Sequence, residues 1–175
     1  MATSKRKLEH LDLCTRENVE SKDNGLADIE LVHRCLPEIN KDDIDTSTTF
    51  LGHPFSAPLM IASMTGGHPD TKEVNANLAI AAEHLGLGMG VGSQRAALED
   101  PKLEDSYRIV REKAPNAFIY GNIGAPQLAK YTIEDIERAV EMVDADAMAI
   151  HLNFLQEAVQ PEGEVNARGI IEKIE

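Results

Sequence analysis

Four short apolar runs punctuate the chain after its first third, at intervals of about thirty residues, the length of one strand–helix–strand unit. Each gives way at once to polar or glycine-rich sequence. Leu59-Met60-Ile61-Ala62 leads into Ser63-Met64-Thr65-Gly66-Gly67, and Leu87-Gly88-Met89-Gly90-Val91 into Gly92-Ser93-Gln94-Arg95. Phe118-Ile119-Tyr120 leads into Gly121-Asn122-Ile123-Gly124, and Ala147-Met148-Ala149-Ile150 into His151-Leu152-Asn153-Phe154-Leu155-Gln156-Glu157. Such near-continuous apolar runs suit parallel strands covered on both faces. Helical periodicity fills the segments between them. A first helix starts near Asp70 or Thr71 and places Val74, Leu78, Ala81, Ala82 and Leu85 on one side, until Gly86 supplies a left-handed cap. A second begins at Asp100-Pro101, buries Leu103, Tyr107 and Val110, and stops at Pro115-Asn116. A third starts at Thr132, which with Asp135 makes an approximate capping box, and turns Ile136, Ala139, Val140 and Val143 inward. A fourth opens near Asn166 and is still apolar-periodic at Ile170, Ile171 and Ile174.

Strand, polar loop and helix, repeated, is how a β/α barrel gathers an active site at the carboxyl ends of its strands. A closed barrel needs eight units, and four are visible here. The expected fold is therefore α/β: the first four units of a TIM (β/α)8 barrel, a half-barrel over residues 29–175 that stops short of closure. A four-stranded half-barrel leaves two unpaired edges, and the alternative is a doubly wound open sheet, which would make the chain complete. Residues 1–28 are charged and poor in apolar periodicity, so they read as an arm. Ile29-Glu30-Leu31-Val32-His33 alternates like a short strand, and Phe50-Leu51-Gly52-His53-Pro54-Phe55 reads as a strand entering a turn. The two are expected to pair as a hairpin over one barrel end.

Composition narrows the chemistry. The 175 residues are 42% hydrophobic but only 4% aromatic, so the core rests on Leu, Ile, Val, Ala and Met. A formal charge of −13 argues against nucleic acid as a partner. A small anion remains compatible with it, because a local cation cluster outweighs a global field screened within roughly 8 Å. Lys5-Arg6-Lys7 is the one dense cationic run. Cys14 and Cys35 form neither a disulfide framework nor a metal-ligand spacing and read as reduced thiols of an intracellular protein. No signal-peptide pattern and no run of ~18 apolar residues is visible, so a cytoplasmic protein without membrane partners is expected.

The loops carry the candidate chemistry. The glycines of Ser63-Met64-Thr65-Gly66-Gly67 let backbone N–H groups approach a flat ring or an anion, although an ordinary βα turn reads the same way. Gly88-Met89-Gly90-Val91-Gly92 is no dinucleotide fingerprint, because its glycines alternate within a strand rather than open a helix. Alternate glycines in a strand imply that something bulky lies across it. Ser93 and Arg95 beyond it suit an anion, and the Asn122 amide offers a donor and an acceptor to a heteroaromatic edge. The fourth loop is densest, with His151, Asn153, Gln156 and Glu157 followed by Gln160-Pro161-Glu162-Gly163. Such polar density at the exit of an apolar strand is costly unless it faces water or a ligand. Glu157 is a hard oxygen ligand suited to Mg²⁺. With Arg95 and such a metal site nearby, Arg6-Lys7 becomes a candidate diphosphate clamp, and His10, one helical turn on, adds a donor. His33, His53, His68 and His84 show no ligand spacing.

Arg6-Lys7-Leu8-Glu9-His10, Ser63-Met64-Thr65-Gly66-Gly67, Gly92-Ser93-Gln94-Arg95, Asn122-Ile123-Gly124 and His151-Leu152-Asn153 through Gly163 occur here in one order. Together they resemble the flavin-dependent type 2 isopentenyl-diphosphate isomerases. The match runs from residue 5 to the end and covers the first half of a family member. The resemblance implies a β/α barrel that binds FMN and Mg²⁺ and interconverts isopentenyl and dimethylallyl diphosphate. It also implies reduced flavin, with NADPH as reductant, and a homo-oligomer of four or eight subunits. By matching position, Ser63, Met64, Thr65, Ser93 and Asn122 would touch the flavin. Arg6, Lys7, Ser93, Gln94 and Arg95 would hold the diphosphate. Gln156 would contact substrate near the reacting carbons, with His151 and Asn153 close by, and Glu157 would bind Mg²⁺. The reaction is a net 1,3-proton shift in which flavin acts as acid and base, while the protein supplies orientation and charge. An amide is a poor acid, so Gln156 is expected to position rather than protonate. Phe154 stands where the motif has proline, and the later strands and loops of the family lie outside the match. Two other readings stand beside this one: another FMN barrel, such as a 2-hydroxy acid oxidase, and a non-catalytic truncated product.

Overall fold

The computed structural model describes residues 2–20, 25–160 and 163–175. The chain opens on α1 (Ala2–Arg16), and a hairpin follows from β1 (Thr48–Phe50) and β2 (His53–Phe55). Next come β3 (Met60–Ile61), α2 (Thr71–Leu85), β4 (Gly88–Gly90), α3 (Arg95–Glu99) and α4 (Asp105–Lys113). The remainder is β5 (Ile119–Gly124), α5 (Ile133–Val143), β6 (Ala147–His151), α6 (Phe154–Val159) and α7 (Ile170–Ile174). Among the described residues, no helix is long and apolar enough to cross a membrane.

Strands β3, β4, β5 and β6 form one parallel sheet in chain order, with Met60 opposite Gly88, Met89 opposite Ile119, and Tyr120 opposite Ala147. A doubly wound sheet reverses its strand order at a switch point. The uninterrupted order seen here is instead that of a barrel wall, so the doubly wound alternative does not hold. The sheet is open, with β3 and β6 at its edges.

One face of the sheet carries the core. Met89, Val91 and Ile119 pack against Ala79 and Ala82 of α2, Tyr107 and Val110 of α4, and Met142 and Val143 of α5. Strand alternation sends Gly88 and Gly90 to the other face. A Cβ at Gly88 would lie 2.7 Å from Phe55, and one at Gly90 only 2.1 Å from Tyr120 Cζ. The bulk that the alternating glycines accommodate is therefore the chain's own aromatic side chains.

At the amino ends of the strands sits the hairpin. Phe50, Phe55 and Phe118 meet there with ring centroids 5.6 to 6.2 Å apart. Its pairing differs from expectation. Phe50 pairs with His53 across Leu51-Gly52, both with positive φ (48° and 80°), the two-residue turn that matches strand twist. Ile29–His33 forms no strand, and Leu31 and Val32 are about 90% exposed. A tight local turn closes at less entropic cost than a pairing across some twenty residues.

Helix boundaries also shift. The capping box at Thr132 and Asp135 is present, and Gly86 caps α2 at φ 62°. The buried stripe of α2 is Thr71, Asn75, Ala79 and Ala82, with Leu85 exposed, because small side chains let α2 lie close against α4. Asp100 caps only a 3₁₀ turn (Pro101–Leu103), and α4 begins at Asp105. The last helix starts at Ile170 rather than Asn166. The arm is helical as α1.

Candidate functional site at the carboxyl rim

Parallel strands in consecutive order deliver all four following loops to one side, and there the polar residues meet. In the loop after β3, Gly66 and Gly67 have φ of 132° and 87°. The Gly67 N–H donates to Ser106 Oγ at 2.8 Å, and the Gly92 N–H to the Thr65 carbonyl at 2.8 Å. Ser63 Oγ and Thr65 Oγ1 are buried with no hydrogen-bond partner among the described residues, while Met64 is half exposed. Orphaned buried hydroxyls call for an account, and here two share one loop at the rim.

Beyond β4, alternate residues part company. The Ser93 carbonyl accepts a hydrogen bond from the Tyr107 hydroxyl at 2.6 Å. Arg95 Nε donates to Glu99 at 2.9 Å, and its Nη1 lies 3.8 Å from Glu157 Oε2. Gln94 departs from the expected diphosphate contact. It is fully buried between sheet and α5, where its Nε2 donates to the Ala139 carbonyl at 2.7 Å and its Oε1 accepts the Asn122 N–H at 3.0 Å. Both ends of that amide are used in joining β5 to α5.

Asn122, two residues before the end of β5, meets His151 at the end of β6 through Asn122 Oδ1 and His151 Nδ1. An acceptor oxygen there keeps the proton on Nδ1 and leaves Nε2 as the free lone pair. Burial, and then the charge of Lys7, push the His151 pKa below its usual value, against an opposing pull from Glu157. Glu157 is buried: Oε1 accepts from Asn153 Nδ2 and Oε2 from the Glu164 N–H, each at 2.8 Å. Asn153 Oδ1 is buried with no partner among the described residues. Gln156 is exposed one position before Glu157, on another side of α6, and makes no described hydrogen bond. Pro161 and Glu162 lie outside the described residues.

Helix α1 lies over this rim. Arg6 Nη1 donates to Gln160 Oε1. Burial, and then the Arg6 charge, push the Lys7 pKa down from 10.5 to about 8. Lys7 has no ion pair among the described residues. Burial, then Lys7 and Arg6, also lower His10. In a chain of net charge −13, burial at this rim, reinforced by neighbouring cations, lowers the pKa of its basic groups.

Sequence reasoning missed the clamp of Gln160 on Arg6, and the side chains of Asn75, Ser106 and Tyr107 behind the loops. Tyr107 reads only as core in a helical pattern, and no linear signal marks its hydroxyl.

The profile of the FMN-dependent dehydrogenase family matches residues 3–151. This chain belongs to that family. Among relatives, the isopentenyl-diphosphate delta-isomerase of Methanococcoides burtonii is 61% identical over 99% of this chain. That of Archaeoglobus fulgidus is 59% identical over 100%, and that of Halobacterium salinarum 55% over 99%. These alignments cover 49%, 51% and 49% of the respective relatives, so the chain spans about half the length of the curated relatives it matches. Within an FMN-dependent dehydrogenase family chain, the orphaned Ser63 and Thr65 hydroxyls and the Asn122 amide fit the hydrogen-bonding edge of a flavin. For Mg²⁺, the Glu157 carboxylate and the orphaned Asn153 Oδ1 are two hard oxygen donors of suitable chemistry. The described residues contain no group of three acidic, His or Cys ligands. A metal here would complete its shell with water and substrate phosphate.

Proposed function

We propose that this chain carries the rim of an FMN- and Mg²⁺-dependent isopentenyl-diphosphate delta-isomerase, and that its sheet is the first half of a closed (β/α)8 barrel. The observation that carries this reading is the convergence of Lys7, Arg95, Asn122, His151 and Glu157 on one rim, where Lys7 is half-buried beside Arg6 and makes no ion pair among the described residues. The names of the relatives supply the substrate. In this reading Arg6, Lys7 and Arg95 bind the diphosphate, Arg95 leaving Glu157 for a phosphate oxygen, and the Ser93 hydroxyl adds a donor. Ser63, Met64, Thr65, Ser93 and Asn122 hold FMN, and Glu157 with Asn153 Oδ1 holds Mg²⁺ against the diphosphate. When bound in its reduced form, FMN supplies the acid and base of the 1,3-proton shift, with NADPH as the priming reductant. Asn122 fixes the His151 ring, and burial favours its neutral form. Gln156 positions the allylic carbons. Gln94 acts from behind the sheet, holding the Asn122 strand in register. We further propose a cytoplasmic homo-oligomer, tetramer or octamer.

The test uses the full-length protein with FMN, Mg²⁺ and NADPH under anaerobic conditions. The expected result is many turnovers of isopentenyl to dimethylallyl diphosphate for each equivalent of NADPH consumed. Stoichiometric consumption of reductant with a 2-hydroxy or 2-keto acid, and no isomerisation, would establish a redox enzyme of the same family instead.

A further inference from the structure

We propose that Tyr107 is a positioning residue that sets the separation of the β3 and β4 loops, and through them of the cofactor and diphosphate positions; the inference rests on the isomerase reading above. Tyr107 sits on α4, behind the sheet, and is completely buried. Its ring is the seat of Gly66, where an added Cβ would lie 2.2 Å from Cε1. At Gly67 an added Cβ would lie 2.8 Å from the phenolic oxygen. That oxygen donates its proton to the Ser93 carbonyl at 2.6 Å. One side chain therefore supports the loop assigned to the flavin and is bonded to the loop assigned to the diphosphate. Ser106 and Asn75 complete the frame. Ser106 Oγ accepts the Gly67 N–H at 2.8 Å, and Asn75 Nδ2 donates to the Ser106 carbonyl at 2.7 Å.

The ring and the hydroxyl have separable tasks. Packing of the ring sets where Gly66 and Gly67 lie. The hydroxyl pins the Ser93 carbonyl, which fixes the peptide ahead of Gln94 and the starting direction of α3, and with it the Arg95 side chain. Burial raises the phenol's pKa, so the hydroxyl stays a neutral donor throughout the working range. Burying a hydroxyl this deeply without its hydrogen bond costs free energy, which favours the bond to the Ser93 carbonyl.

The experiment compares Tyr107→Phe and Tyr107→Leu in the full-length, FMN-loaded protein. Tyr107→Phe keeps the ring, so FMN affinity should stay within about twofold, while KM for isopentenyl diphosphate rises about five- to tenfold with kcat little changed, the size of one lost buried hydrogen bond. Tyr107→Leu should weaken FMN binding about tenfold or more. Without ligands, amide hydrogen exchange in Tyr107→Phe should accelerate at Arg95 and Ala96 but not across α5. A Tyr107→Phe protein with wild-type KM and wild-type exchange overturns the proposal, as does one that loses FMN and diphosphate affinity in equal proportion. A wild-type protein that binds no FMN or isomerises nothing would refute the functional reading, while the exchange measurement would still decide the role of Tyr107.

Discussion

Lys7 offers the sharpest quantitative test of the proposed diphosphate site. Its pKa of about 8, against 10.5 for a free lysine, means that the ammonium is carried into the rim at a cost of about 3 kcal/mol at neutral pH. The cause is burial first and the neighbouring Arg6 second. Because the folded value lies below the unfolded one, the unfolded chain binds more protons between about pH 8 and 10.5. Stability, and the docking of α1, should therefore rise with pH across that window. A diphosphate bound as proposed would reverse the imbalance by supplying an anion and returning Lys7 toward its ordinary value. At pH 8.5 a group with a pKa of about 8 is about one-quarter protonated, and after restoration almost fully so, giving an uptake of about three-quarters of a proton per diphosphate. At pH 7 the uptake from Lys7 falls to about one-tenth of a proton. Isothermal titration of the full-length protein with isopentenyl diphosphate, in buffers of different ionisation enthalpy, measures this number directly. Lys7→Gln should abolish the uptake at pH 8.5 and weaken binding. An uptake near zero at pH 8.5, or one unchanged in Lys7→Gln, would show that Lys7 does not face the diphosphate.

Three further outcomes are expected. Gly90→Ala should cost about 1–3 kcal/mol in urea unfolding, because its Cβ would meet Tyr120 Cζ at 2.1 Å and Ser63 Oγ at 2.3 Å; Tyr120→Leu in the same chain should recover part of that loss. Glu157→Gln should raise the Mg²⁺ concentration for half-maximal activity by at least about tenfold, since charge as well as an oxygen is lost from the proposed pair of hard donors; an unchanged Mg²⁺ profile excludes Glu157 as a ligand. Thr132→Ala should lower stability by about 1 kcal/mol through loss of the capping box, with isomerase activity unaffected, and a larger activity loss would place α5 nearer the chemistry than the structure does.

Features specified by near neighbours were legible in the linear pattern. The capping box at Thr132, the αL stop at Gly86, the four parallel strands and their polar sequels follow from short-range sterics and periodicity, but the first run, expected to be buried, lies at the sheet edge with Leu59 and Met60 exposed. The position of α1 was not legible. Its sequence has a weak apolar stripe, and its place comes from Arg6 reaching Gln160 and Lys7 lying beside His151, partners nearly the whole chain length away. Motif adjacency also misled at Ser93-Gln94-Arg95. Three consecutive residues leaving a strand cannot all face the same way, so Gln94 turns toward α5 while Arg95 reaches Glu157.

Composition and periodicity thus specify which segments become strands, where polar loops leave them, and which chemistry those loops carry, because such features depend on backbone geometry within a turn or two of each residue. Which loops touch, which amide is spent inside the wall, and which lysine loses part of its water depend on the parallel order β3-β4-β5-β6 and on α1 folding back over the rim. Electrostatic and packing energies fall steeply with distance through space and take no account of separation along the chain. Only folding, by setting those distances, turns a scatter of basic and acidic residues into a site.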